Sequence, residues 1–153
     1  MAEPSPSKLV CFYLNDQEYA ARIRDVKESL TLRPISRVFL TPAWVAGIIN
    51  LRGDVVAVLD LSLMLGMRPT EPGDQSRILI ARVGALRAGI LVDRMAQLRD
   101  LDLSELQQPP PTLSGEAAAL MLGIATVEDS KPLRVLDLSR VFESEQLREY
   151  RRA

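Results

Sequence analysis

Three aspartates are the residues in this sequence that could do chemistry. Asp60, Asp93 and Asp137 each follow an apolar run, and carboxylates sharing a cleft can act as general acid and general base. The usual helpers are missing. The 153 residues contain no histidine, which removes the commonest general base and the commonest neutral metal ligand. The single cysteine, Cys11, has no histidine to activate it. It sits in the strand-like run Leu9 to Leu14 and reads as a small buried filler. One cysteine allows no internal disulfide. No phosphate loop, zinc cluster or nucleophile elbow occurs. A small hydrolase built on the three aspartates is a distant alternative; no catalytic residue, metal site or cofactor is expected.

Two of those aspartates have a simpler reading. Val58-Leu59-Asp60-Leu61-Ser62 recurs letter for letter as Val135-Leu136-Asp137-Leu138-Ser139. Each copy follows a glycine-led apolar strand, Gly47-Ile48-Ile49 or Gly123-Ile124-Ala125, and each runs into a short helical pattern. Asp60 and Asp137 hold the same place, between strand and helix, where a carboxylate caps the first turn. Asp93 reads as a strand terminator. The duplication predicts two related β units and turns attention from catalysis to surfaces.

The elements follow from the turn residues. Residues 8–15 and 17–23 form a hairpin about Asn15-Asp16. Arg24 to Ser29 is expected as a charged helical turn or loop, and Leu30 to Pro34 as a brief extended piece. Thr41-Pro42 has the form of a helix start. Residues 46–51 and 55–59 make a second hairpin about Arg52-Gly53-Asp54, and Val55 to Leu59, apolar on both faces, should be covered on both. Gly66 is a natural helix stop. A third hairpin, 77–83 with 86–92, turns at Gly84-Ala85; a fourth, 119–127 with 133–136, crosses Glu128 to Lys131. Pro109 to Pro111 is a stiff connector. A last helix should run from Asp137 or Ser139 to about Tyr150, with Val141, Phe142 and Leu147 inward and Arg148, Arg151 and Arg152 at its negative pole. Short strands at close spacing favour two small barrels of about five strands each over a parallel α/β sheet.

Net charge is −1, with no basic block, so nucleic acid has no electrostatic footprint. No apolar run reaches the length of a membrane span. Residues 1–7 read as a disordered polar tail without the apolar core of a signal peptide, and a cytoplasmic location is expected. Sixteen arginines against three lysines fit either genomic base composition or protein interfaces.

The most specific string is Gly47-Ile48-Ile49-Asn50-Leu51-Arg52-Gly53. Alternation sets Asn50 and Arg52 on one face with Ile49 and Leu51 behind, and Gly53 suits a tight turn. The stretch Asn50 to Leu61 resembles the signature of the CheW-like chemotaxis coupling proteins. So do Asp25-Val26-Lys27-Glu28, Thr41 to Gly47, and Ala88 to Asp93. The likeness covers Lys8 to Phe142 in order and spacing; family members commonly carry proline where Ala57 stands. The resemblance implies an all-β adaptor of two five-stranded SH3-like barrels with a shared core. Residues 8–142 would form the working domain, and 143–153 the helix end and tail. It implies no enzyme activity and no cofactor. Its partners would be the cytoplasmic tip of chemoreceptors (methyl-accepting chemotaxis proteins) and the regulatory domain of a CheA-type histidine kinase, at membrane-associated arrays, without direct membrane insertion. Val26, Glu28, Gly47, Asn50 and Arg52 match positions on or near the implied receptor-facing groove, with Arg52 expected to pair with a receptor carboxylate. Gly53, Asp60 and Asp137 are turn and cap residues; kinase-contact residues are not assigned. A scaffold in a non-flagellar pathway, such as gliding, twitching motility or surface sensing, is the closest alternative.

Overall fold

The structure, a computed structural model, describes residues 6–109 and 115–144. Chain order begins with β1 (Ser7–Leu14) and β2 (Gln17–Arg22), an antiparallel pair with Leu14 opposite Gln17. Asn15 and Asp16 both take positive φ, 51° and 64°. That turn matches the right-handed twist of the flanking strands, and asparagine and aspartate tolerate it best after glycine. A single 3-10 turn, Ile23–Asp25, leads into β3 (Val26–Thr31). The turn therefore ends at Asp25, and the extended piece expected from Leu30 begins already at Val26, in place of the helical turn or loop expected to Ser29. Its partner is far away in sequence, with Val26 opposite Ala81, so the local charge pattern could not reveal the pairing.

Next come β4 (Val45–Leu51), β5 (Asp54–Leu59) and α1 (Leu61–Met64). No helix starts at Thr41-Pro42; the Thr41 hydroxyl donates back to the Val38 carbonyl, and the Val45 amide to that of Pro42. Gly66, at φ 80°, stops α1. The Met67 amide donates to Ser62 O and the Gly66 amide to Leu63 O, which satisfies the free carbonyls of the helix end. Then follow β6 (Arg77–Val83), β7 (Leu86–Val92), and the short β8 (Arg94–Met95) and β9 (Arg99–Leu101). The last elements are α2 (Gly115–Ala119), β10 (Met121–Val127), β11 (Lys131–Leu136) and α3 (Leu138–Glu143). The fourth hairpin thus opens at Met121, after a helical turn absent from the sequence reading. At the end, α3 stops at Glu143, and Ser144 is already extended. The rest of the expected helix, with Leu147, Arg148, Arg151 and Arg152, lies outside the described residues, as do Pro110, Pro111 and most of the N-terminal tail.

Two sheets result. One has five strands in the order β3-β6-β7-β5-β4; the other has six, β10-β11-β2-β1-β8 with β9 also on β1. The expected five strands become six in the second because its edge is two short strands. Read from its other end, the second order is β8-β1-β2-β11-β10, which matches the first strand for strand. Each has one parallel pair, Val58 beside Gly89 and Val135 beside Ala20. The repeat is therefore complete, but its strands are not contiguous: the first hairpin of the chain finishes the second sheet.

Each sheet curls around a small core of its own. Leu30, Ile49, Val56, Val58, Ile78 and Leu91 cluster in the five-stranded sheet, and Leu9, Cys11, Leu133 and Val135 in the other. A third and larger core joins them, with Leu59, Leu79 and Ile90 on one side and Phe12, Ala21 and Leu136 on the other; Val141 and Phe142 of α3 also enter it. Val55 departs from the expected burial: it is 69% exposed, one residue from the β4–β5 turn.

The two repeat glycines explain how each edge strand is closed off. A Cβ on Gly47 would lie 2.3 Å from Ser36 O, and one on Gly123 2.7 Å from Gln107 O. In both places the preceding segment bridges the strand one residue on, Ser36 with Ile48 and Gln107 with Ile124. Both strands also shift register at the glycine, against β5 and β11 respectively. Gly47→Ala and Gly123→Ala should each destabilise the fold by about 2 kcal/mol or more, since backbone rather than a flexible side chain must move. Urea unfolding of the two variants measures this; a loss below roughly 0.5 kcal/mol would contradict the close packing.

Candidate site at the two edges of the five-stranded sheet

Val26 and Glu28 lie on β3, Gly47 and Asn50 on β4, and Arg52 in the turn that follows. β3 and β4 are opposite edges of their sheet, yet the Arg52 guanidinium donates to both Glu28 oxygens, at 2.9 and 2.6 Å. The sheet has curled until its edges face each other. A register shift between Val26 and Glu28 contributes, since a bulge bends a strand and re-aims its side chains. The chain beyond β3 then runs along β4, where Arg33 reaches the Asn50 carbonyl at 3.5 Å and Ser36 bridges Ile48.

The turn is shaped to hold Arg52 in place. Arg52 and Gly53 take φ of 52° and 90°, and the Asn50 side-chain oxygen accepts the Gly53 amide at 2.9 Å. Asn50 thus stabilises the turn that presents the arginine. Of the five residues singled out from sequence, Glu28, Asn50 and Arg52 come together. Gly47 is buried beneath Ser36, so its missing side chain serves a close approach within the chain. Val26 is half-buried against the shared core. Within the chain Arg52 is paired with Glu28, a partner not foreseen, and its guanidinium stays exposed. That pairing and the Arg33 contact were missed. The one signal was opposite charge on two residues already picked out, 24 positions apart.

The pair sets the local electrostatics. The Arg52 hydrogen bonds hold the Glu28 carboxyl below the usual glutamate range, and Glu28 raises Arg52 in turn. Both groups face water, so the pair orients side chains more than it stabilises the fold.

The three aspartates of the hydrolase alternative each hold a different piece of backbone. Asp60 stands at the cap position of α1 but makes no side-chain cap bond; it accepts the Thr70 amide at 3.0 Å and the Thr70 hydroxyl at 3.3 Å. Burial pushes its pKa up, against the pull of those bonds. The cap expected of Asp60 is therefore a clamp on the loop after α1. Asp137 does cap, accepting the Ser139 amide at 3.0 Å, and also receives Arg22 at 2.9 Å. Asp93 accepts the Asn15 amide at 2.7 Å. Cys11 is buried, and burial with the neighbouring Glu18 pushes its thiol up to about 12, far from a reactive thiolate. Among the described residues no group of three acids, cysteines or histidines could hold a metal ion, and no helix is long and apolar enough to cross a membrane.

Two curled sheets around a common core, with polar residues engaged in holding backbone and edges, define a scaffold that works through its surfaces. The family model for the CheW-like domain matches residues 8–146, and the chain belongs to that family. It is 31% identical to "Chemotaxis protein CheW" of Rhizobium meliloti (strain 1021), over 91% of this chain and 89% of that one. It is 26% identical to "Protein FrzA" of Myxococcus xanthus, over 90% and 86%. Its fold resembles the crystal structure of the scaffolding protein TtCheW from Thermoanaerobacter tengcongensis with a TM-score of 0.81 and 32% identity, over 94% and 92%. The chain is accordingly a CheW-family scaffold protein of chemotaxis-type signalling.

Glu28 supplies a direct check of the site's geometry. Arg52→Ala should raise the Glu28 pKa back toward the ordinary carboxylate value, read by carboxyl carbon NMR against pH. In the native chain the folded value lies below the unfolded one. The pair's contribution is thus present above the ordinary glutamate range and is lost as pH falls through the lowered value. A Glu28 titration that Arg52→Ala leaves unmoved would show that the two are not paired in solution.

Proposed function

We propose that this protein couples chemoreceptors to a CheA-type histidine kinase, contributing surfaces and no catalytic step or cofactor. Residues 8–142 act as one working unit of two small barrels, stationed on the cytoplasmic side at receptor arrays. The observation that carries this reading is the Glu28–Arg52 pair, which orients the guanidinium between two sheet edges where the family resemblance puts the receptor-facing groove. A receptor tip is a helical bundle, and a groove with a fixed, oriented guanidinium at its rim suits a helix face edged with polar groups. Arg52 presents its outer side to such a partner while Glu28 fixes its inner side.

A scaffold role in a non-flagellar pathway is the second reading; the similarity to FrzA across nearly the whole chain favours keeping it. The two differ in receptor and kinase, not in the physics of the site.

Calorimetric titration with the kinase regulatory domain and with a receptor tip fragment from the same genome tests the coupling. Binding of both at micromolar or tighter Kd is expected. Arg52→Glu should weaken the receptor fragment at least tenfold, about 1.4 kcal/mol, with the kinase domain little affected. Unchanged receptor affinity in the folded variant would overturn the role given to Arg52. A folded wild-type chain that binds neither partner would overturn the coupling itself.

A further inference from the structure

Charge does not balance at the candidate site. The Glu28 carboxyl is lowered by its hydrogen bonds to Arg52, and the nearby charges of Arg33 and Arg87 add to the effect. Two of these three cations have a carboxylate of their own, Arg52 with Glu28 at 2.6 Å and Arg87 with Asp54 at 3.2 Å. Arg33 has none among the described residues. Its side chain makes one hydrogen bond, to the Asn50 carbonyl at 3.5 Å, the outer limit for such a bond. Three guanidiniums against two carboxylates leave one positive charge over, and it sits on Arg33.

The backbone around Arg33 is held from both sides. Leu32 and Ile35 pack on the small core of the five-stranded sheet, and Ser36 bridges Ile48. Pro34 fixes one further backbone angle. The half-exposed Arg33 side chain is thus carried on a set backbone while resting on a single weak acceptor. That acceptor belongs to Asn50, whose own side chain holds the turn that presents Arg52. The two guanidiniums therefore share one anchor residue on the β4 edge. From Ser29 to Gly53 the sequence has three arginines and no aspartate or glutamate, so nothing along this stretch competes for Arg33.

We propose that Arg33 is the specificity residue of this site: it pairs with a carboxylate on the partner's helix and so selects receptor tips with an acidic docking face. The inference rests on the coupling role proposed above. Exchanging a 3.5 Å bond to a neutral carbonyl for one to a carboxylate is favourable, because charge-assisted bonds are shorter and stronger. Arg52 keeps Glu28 in the complex, and Arg33 supplies the charge that Glu28 does not cancel. Charges at an exposed rim act on encounter and on the choice between partners, so the effect of Arg33 depends on salt.

Calorimetric titration of the full chain with the receptor tip fragment from the same genome, at about 50 and 300 mM salt, tests this. Arg33→Glu should weaken binding about tenfold at the lower salt and by a smaller factor at the higher. Arg33→Lys, which keeps the charge, should stay within about threefold of wild type, whereas Arg33→Gln, which can keep the Asn50 bond without the charge, should lose more than that. Arg37→Glu, the same change on an exposed arginine four residues on, should cost less than about twofold. Among fragments with one acidic tip residue changed to lysine, at least one should bind Arg33→Glu more tightly than it binds wild type. Urea midpoints should match wild type for all four variants. Wild-type affinity in Arg33→Glu, or equal losses in Arg33→Glu and Arg37→Glu, would overturn the proposal and leave the coupling role standing. A folded wild-type chain that binds neither the fragment nor the kinase domain would overturn both.

Discussion

The apolar layer between the sheets is the constraint on which the other features rest. Leu59, Leu79 and Ile90 cannot be buried by their own sheet, whose inner core is already filled by Val58, Ile78 and Leu91. The same holds for Phe12, Ala21 and Leu136 against Leu9, Cys11 and Val135. Each sheet therefore buries one face in itself and one in its neighbour, so neither half has a complete core alone. α3 adds Val141 and Phe142 to the shared layer. Its cap Asp137 also receives Arg22, at the point where the chain leaves the second sheet for the first. A charged bond thus marks the crossing between units that the apolar layer holds together.

With both faces of the sheets committed, the rims carry the individuality. The repeat preserves what packing requires: the glycines under the bridging segments, the Val-Leu-Asp-Leu-Ser strand ends, and one parallel pair per sheet. It lets go of what packing does not need. Asp60 clamps Thr70 where Asp137 caps a helix, and Arg52 pairs across the sheet where Glu128 stands in the twin. Divergence at these rims accords with a protein whose work lies in what it touches.

Hairpins with strong turn residues were legible in the sequence. Asn15-Asp16 and Arg52-Gly53 mark tight turns in the structure, and Gly66 ends α1 through the backbone bonds its type implies. The duplicated segment announced the two related units. Less legible was whatever depends on a distant partner. The first half of β3 has the charge pattern of a helical turn or loop because its partner β6 is distant, and Thr41-Pro42 resembles a helix start because a Thr hydroxyl bonding backwards has the same local sequence. Val55 has the apolar type of the buried Val56 and Val58, but it stands next to the turn and is exposed. At the site, Asn50 and Arg52 were visible from alternation, but the Glu28 contact required knowing that opposite edges of one sheet meet. Gly47 matches the implied receptor-facing groove, but what lies against it in the structure is Ser36 of the same chain.

The interleaved strand order also bears on synthesis. β1 and β2 leave the ribosome first, yet the strand beside β2 is β11, from the far end of the chain. The five-stranded sheet, by contrast, is drawn from one continuous stretch between Val26 and Val92. The opening hairpin must therefore wait, its inner face uncovered, while the middle of the chain folds ahead of it. Closing so long a loop is slow, and an unpaired edge invites other chains meanwhile. A nascent chain of this protein is most exposed to aggregation and to chaperone capture just before its last hairpin emerges.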